Sequence, residues 1–229
     1  MKALSLLLSV ASYDSKLRHR TLTTENALHL KGIFCTYSSK FFCFKATKCT
    51  MELTHTCSSY FTFEMLFHCG ETWQRMQCEN VPEQEASWLA YQALAQKLLD
   101  PLVEQFGMPI LTFGFCGHRL RHAIQGKPQP RIAPRLDQHA ACELNRYGQL
   151  ICHRQGAAID LIYPARSSAQ IAYWLACHTP FDRLYFYGAD RPLHLTHGPE
   201  QSRTMIQLIE HQGRRLPRQL SLSTLQGWL

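Results

Sequence analysis

The sequence has no glycine-rich phosphate loop, no GxSxG elbow, and no CxxC pair among its ten cysteines. The first absence leaves a nucleotide site without support. The second removes the serine-hydrolase turn. The third argues against a zinc ribbon or a thioredoxin-like motif. The apolar runs fall far short of the roughly 20 residues needed to span a bilayer, so no transmembrane helix is expected. No internal repeat is visible, and the composition does not suggest collagen, a coiled coil or wholesale disorder.

Positive charge is also scarce where a nucleic-acid surface would need it. Of the net +7, residues 1–50 hold eight Lys/Arg against two acids, and residues 51–229 hold sixteen against fifteen. Basicity therefore belongs to the amino-terminal arm, and the main domain lacks the clustered charge that phosphate neutralisation requires. Arg119, Arg121, Lys127 and Arg131 form a local basic stretch that reads as a solvated loop.

What remains is 229 residues, 45% hydrophobic, enough for one domain with a buried core and some excess. Met1–Ala11 resembles a short secretory apolar region with a cleavage site at Ser9-Val10-Ala11, or else an unstructured leader. That leaves a periplasmic, secreted or cytoplasmic location open. The ten thiols fit disulfides in the first two and small buried hydrophobes in the last. Residues 12–50 show no clean period, and domain-like patterning begins near Met51. The expected division is an arm over 1–50 and a domain over 51–229.

The domain reads as α+β. A short apolar segment, Phe63–Cys69, reads as helical. Glu85–Phe106 has the strongest helical period, with Trp88 and Leu89 followed by Leu94, Leu98, Leu99, Leu102, Val103 and Phe106 at three- and four-residue intervals. Asp100-Pro101 can interrupt it, with Asp100 as an N-cap, and Gly107 ends it. Pro109–Phe115, Gln149–His153, Ala157–Tyr163, Arg183–Tyr187 and Pro192–Thr196 read as strands. Ser167–Cys177 and Glu200–His211 read as helices, the first capped by Ser167. Gly126–Leu136, with three prolines, reads as a loop. The last seventeen residues are basic, then leucine-rich, and read as a final packed turn or a mobile tail.

The chemistry-bearing stretch is His153-Arg154-Gln155-Gly156-Ala157-Ala158-Ile159-Asp160. A histidine ends one strand, a glycine permits a tight turn, and small residues allow close packing. An aspartate then enters the next strand. Adjacent antiparallel strands can bring the imidazole and carboxylate together as ligands for a divalent metal, with zinc favoured. The third ligand is expected from Pro192-Leu193-His194-Leu195-Thr196-His197. His194 is preferred and His197 is the competitor, because alternation turns the two to opposite faces.

This stretch resembles the HxxGxAxD motif of zinc D-alanyl-D-alanine peptidases and the hedgehog amino-terminal domain. The resemblance runs over roughly residues 61–197. Asn80-Val81-Pro82, Leu99-Asp100-Pro101-Leu102, Pro109–Phe115, Phe181-Asp182-Arg183-Leu184 and Leu193-His194-Leu195-Thr196 are similar to further segments of that family, in the same order. It implies a small antiparallel sheet flanked by helices and holding one zinc. It also implies hydrolysis of an amide bond in D-amino-acid, peptidoglycan-type peptides, with His153, Asp160 and His194 as ligands. The alternative is a non-catalytic metal-binding or interaction module of the same fold. Two departures bear on that choice. Cys116 stands at the position matching the family's arginine, for which Arg119 or Arg121 can substitute. No glutamate precedes His194, leaving Asp190 or His197 as base. Asp137-Gln138-His139 echoes the family's Ser-Gln-His, but Arg146 stands seven residues after His139, which assigns that histidine a supporting or substrate-side place.

Overall fold

The computed structural model describes residues 51–126, 132–211 and 214–229. The expectations for the arm, and for Lys127 and Arg131, lie outside the described residues. Among the described residues, no helix is long and apolar enough to cross a membrane. Helices pack with one six-stranded sheet, giving an α+β domain.

Helix α1 (Phe63–Phe67) starts where the Thr62 side chain accepts from the Met65 N–H. A short α2 (Glu71–Met76) follows. The long periodic segment becomes α3 (Glu85–Leu94), a π-helical turn (Ala95–Leu99) and α4 (Asp100–Phe106). Asp100 does not cap. Its backbone is right-handed helical and its N–H reaches back to Ala95. Pro101 has no N–H to give the preceding turn, and a widened π turn absorbs that loss without ending the helix. The Asp100 carboxylate instead accepts from Ser58 Oγ at 2.7 Å and the Ser59 N–H at 2.9 Å.

The remaining elements are β1 (Ile110–Phe113), α5 (His118–Gln125), β2 (Ala157–Ile162), α6 (Ser168–His178), β3 (Arg183–Phe186), β4 (Leu193–His197), β5 (Thr204–His211), β6 (Arg214–Gln219) and α7 (Leu222–Gln226). Ser167 caps α6 by accepting from the Ala169 N–H. The sheet order is β1-β2-β4-β3-β5-β6. All pairs are antiparallel except β3 with β5, so the sheet is mixed rather than the expected all-antiparallel one.

Three assignments change: in the expected carboxy-terminal turn or tail, Arg214–Gln219 pairs with β5 as strand β6, and two further segments differ. Residues 204–211 form a strand, not part of a helix. Met205, Ile206, Leu208 and Ile209 fit either period, and pairing on both edges with β3 and β6 decides for the strand. Gln149–His153 is a bend and turn rather than a strand. It belongs to a side excursion between His139 and Gly156, closed by a bridge from Leu144 to Leu150 and anchored through Glu143, whose carboxylate accepts from Ser87 Oγ and the Glu83 and Gln84 N–H groups.

One face of the sheet is packed by helices. Ile159, Leu161, Leu184, Leu193 and Leu195 are fully buried there, with α3 against β2 and β4 and α6 against β3. Each such side chain contributes about 1.5–3 kcal/mol. Alternation sends Asp160, His194 and Tyr185 to the other face, where they lie in one row across β2, β4 and β3.

Gly156 sets how close β2 runs to the end of β4. Its φ is +83°, and a Cβ there would lie 2.3 Å from the His197 carbonyl oxygen. Gly156→Ala is expected to cost at least about 2 kcal/mol in urea unfolding, since both the backbone conformation and the contact oppose it.

Candidate metal centre

His139, Asp160 and His194 bring one ligand atom each to within 4.8 Å of one another. Asp160 comes from β2 and His194 from its register partner on β4. His139 comes from the chain entering the side excursion. It is fixed by its own backbone, whose carbonyl accepts from the Cys116 N–H at 2.9 Å. The Phe113 ring stands edge-on to its imidazole at 4.7 Å, brought there by a register shift between Leu111 and Phe113 in β1.

His139 Nδ1 lies 2.8 Å from the Gly114 carbonyl oxygen. A carbonyl only accepts, so Nδ1 donates, and Nε2 is left facing Asp160 Oδ1 at 3.4 Å. This is the outer-shell arrangement that orients a metal-ligating imidazole. His194 Nδ1 lies 2.8 Å from the same oxygen, while its Nε2 is buried without a partner among the described residues. Two imidazoles thus converge on one carboxylate oxygen. Their side chains are 1% and 3% exposed, against 21% for Asp160, so solvent reaches the group from the aspartate side.

The electrostatics follow from this packing. Burial pushes the Asp160 carboxyl upward, but the neighbouring charge and hydrogen bonds of His139 and His194 outweigh it and hold it well below its ordinary 3.8. Burial pushes His139 down, yet Asp160 and Asp137 together raise it above its ordinary 6.5. The Asp160 contribution to metal-free stability is therefore in place above about pH 3.8 and lost as the pH falls below it. The His139 contribution is complete below about pH 6.5 and lost as the pH rises through its elevated value. Metal-free protein is expected to melt highest between those limits. Bound metal competes with the proton on Nε2, so added zinc should raise the melting temperature most on the alkaline side. Melting curves at pH 3 to 9, with and without zinc, test this.

The residues expected from sequence fall as follows. Asp160 and His194 are together. His153 is not with them: it is exposed in the turn before β2, and His139 stands where it was expected. The excursion over residues 140–155 carries the chain out and back, so the partner of Asp160 lies twenty-one positions earlier (160 − 139) rather than seven. The Gln138-His139 pair was the available signal, masked by Arg146 at the motif's spacing. His197 is buried on the helix-packed face with Leu195, three residues and one face away from His194. Burial, then the charge of Lys97, lower its pKa, with Asp182 opposing. Asp190 is exposed in the β3–β4 connection, which is tied to α6 through Ser168. Arg119 is exposed and paired with Glu79 at 3.3 Å. Arg154 instead donates to Tyr185 Oη at 3.4 Å, and the Tyr185 ring stands edge-on to His194 at 5.1 Å. Cys116 is a buried free thiol whose pKa burial pushes up, a packing residue.

The fold and site define an α+β domain with a buried His–Asp–His group able to hold a metal ion. No family model, curated protein or solved structure matches the chain.

Proposed function

We propose that the chain is a zinc-dependent hydrolase with the hedgehog/D-Ala-D-Ala-peptidase type of fold, acting on an amide bond in peptidoglycan-type D-amino-acid peptides. The observation that carries the reading is the donor set. Two imidazoles and one carboxylate approach one point, with solvent access from one side, and no fourth ligand joins them among the described residues. Structural zinc sites close with four protein ligands, whereas catalytic ones use three and leave a position open. The preset tautomer of His139 and the His194 Nδ1 turned onto the same Asp160 oxygen fit a cation held between them.

When bound, zinc supplies a Lewis acid that polarises a carbonyl and acidifies water. The chain's own part is to hold the ligands and orient the substrate. Gly114 fixes the His139 ring through Nδ1, and Asp160 sits between both imidazoles. Arg154 and Tyr185 supply hydrogen-bond donors on the same sheet face. The second reading, a metal-binding module without turnover, is favoured by one observation: neither Asp190 nor Arg119 stands beside the group.

Zinc-loaded protein is expected to release D-alanine from D-Ala-D-Ala-terminated peptides or to cleave cell-wall fragments, and to stop on chelation. Zinc retained with no cleavage of either substrate would favour the module and reject the hydrolase.

A further inference from the structure

A second feature stands apart from the metal-type group. His118 and Arg121 of α5, Arg135, and Asn145, Arg146 and Tyr147 at the tip of the side excursion line one cleft of about 320 Å³. Three arginines are among its lining residues. Among the described residues, the arginine ion pairs are Arg119 with Glu79 and Arg183 with Glu200, so none of the three has a carboxylate partner. Arg121 Nε is closed off from solvent and has no hydrogen-bond partner.

The other lining groups are also donor-rich. Asn145 Oδ1 is already taken by the N–H groups of Tyr147 and Gln149, at 2.8 and 3.1 Å, which leaves its amide NH₂. Tyr147 is 70% exposed, and the Arg146 guanidinium lies 4.6 Å from its ring centre. Two acids adjoin the cleft at His118, Glu83 and Glu143, each with a carboxylate oxygen within 4.8 Å of a His118 ring nitrogen, and Asp137, two residues from Arg135, accepts from the Ala133 and His139 N–H groups. Glu143 is buried with its oxygens turned to Ser87 Oγ and the N–H groups of Glu83 and Gln84, and Glu83 is exposed. The three arginines have no ion-pair partner among the described residues, and the forked guanidinium matches the oxygens of carboxylate and phosphate.

We propose that this cleft binds an anionic oxygen group, a phosphate or a carboxylate, at a site separate from His139, Asp160 and His194. The test is calorimetric titration of the full chain with inorganic phosphate and, separately, acetate at low ionic strength. Saturable one-to-one binding is expected. Arg135→Gln and Arg146→Gln, both at exposed positions, should each weaken it at least about fivefold, while Arg119→Gln leaves it unchanged. Added salt should weaken it as well. Tighter phosphate than acetate would assign the site to phosphoryl groups, and the reverse to carboxylates. Anion held by a metal at the His–Asp–His group would be insensitive to both arginine variants. No saturable binding of either anion, or affinity unchanged in both variants, would overturn the proposal.

Discussion

His139→Ala is expected to weaken zinc binding by more than about 100-fold, whereas His153→Ala should leave it within about twofold. Losing an outer-shell partner of a metal ligand typically costs 10–100-fold, and losing the ligand itself should exceed that. The comparison is informative because His153 sits at the motif spacing and His139 does not. In the folded chain His139 Nε2 faces Asp160 Oδ1 at 3.4 Å, while His153 is exposed in a turn. Competition with a chromophoric chelator measures both variants. Equal losses, or a loss confined to His153→Ala, would mean that the motif rather than the observed packing defines the site.

Asn80→Ala is expected to destabilise the protein by about 3 kcal/mol or more. Asn80 is 1% exposed and satisfies three buried backbone groups. Its Nδ2 donates to the carbonyls of Phe67 at 2.6 Å and Phe115 at 2.9 Å, and its Oδ1 accepts from the Gly117 N–H at 2.8 Å. The side chain thereby joins the end of α1 to the turn between β1 and α5. Alanine leaves these groups without partners in a site closed to water, each at about 1–3 kcal/mol. Because Cys116, in that same turn, donates to the His139 carbonyl, the loss should also lower metal affinity. Chemical unfolding of metal-free and zinc-loaded forms reads both effects, and a change under about 1 kcal/mol would contradict the account.

Where local period and tertiary packing agree, the residues announced their structure. Leu94, Leu98 and Leu102 recur at a helical interval, and all three are fully buried along α3, the π turn and α4. In β2, small and branched residues flank Asp160, and the alternation that separates His194 from His197 is the one the sheet displays. The failures share a physical cause: long-range partners are not written in local spacing. Residues 204–211 have an ambiguous apolar pattern, and only β3 and β6 make them a strand. Asp100 had the chemistry of an N-cap, but Ser58 and Ser59 claim its carboxylate from 42 and 41 residues away. His139 escaped for the same reason, since an excursion of sixteen residues (140–155) hides its approach to Asp160. Arg119 is exposed and paired with Glu79 at the surface, a partner that its spacing in the sequence does not announce.

The central claim is that this group holds a metal. Elemental analysis of the full chain, purified without chelators, tests it most directly. The account predicts close to one zinc per chain in the parent and almost none in His139→Ala. A folded parent that carries no metal, and takes up none when zinc is added, would contradict it.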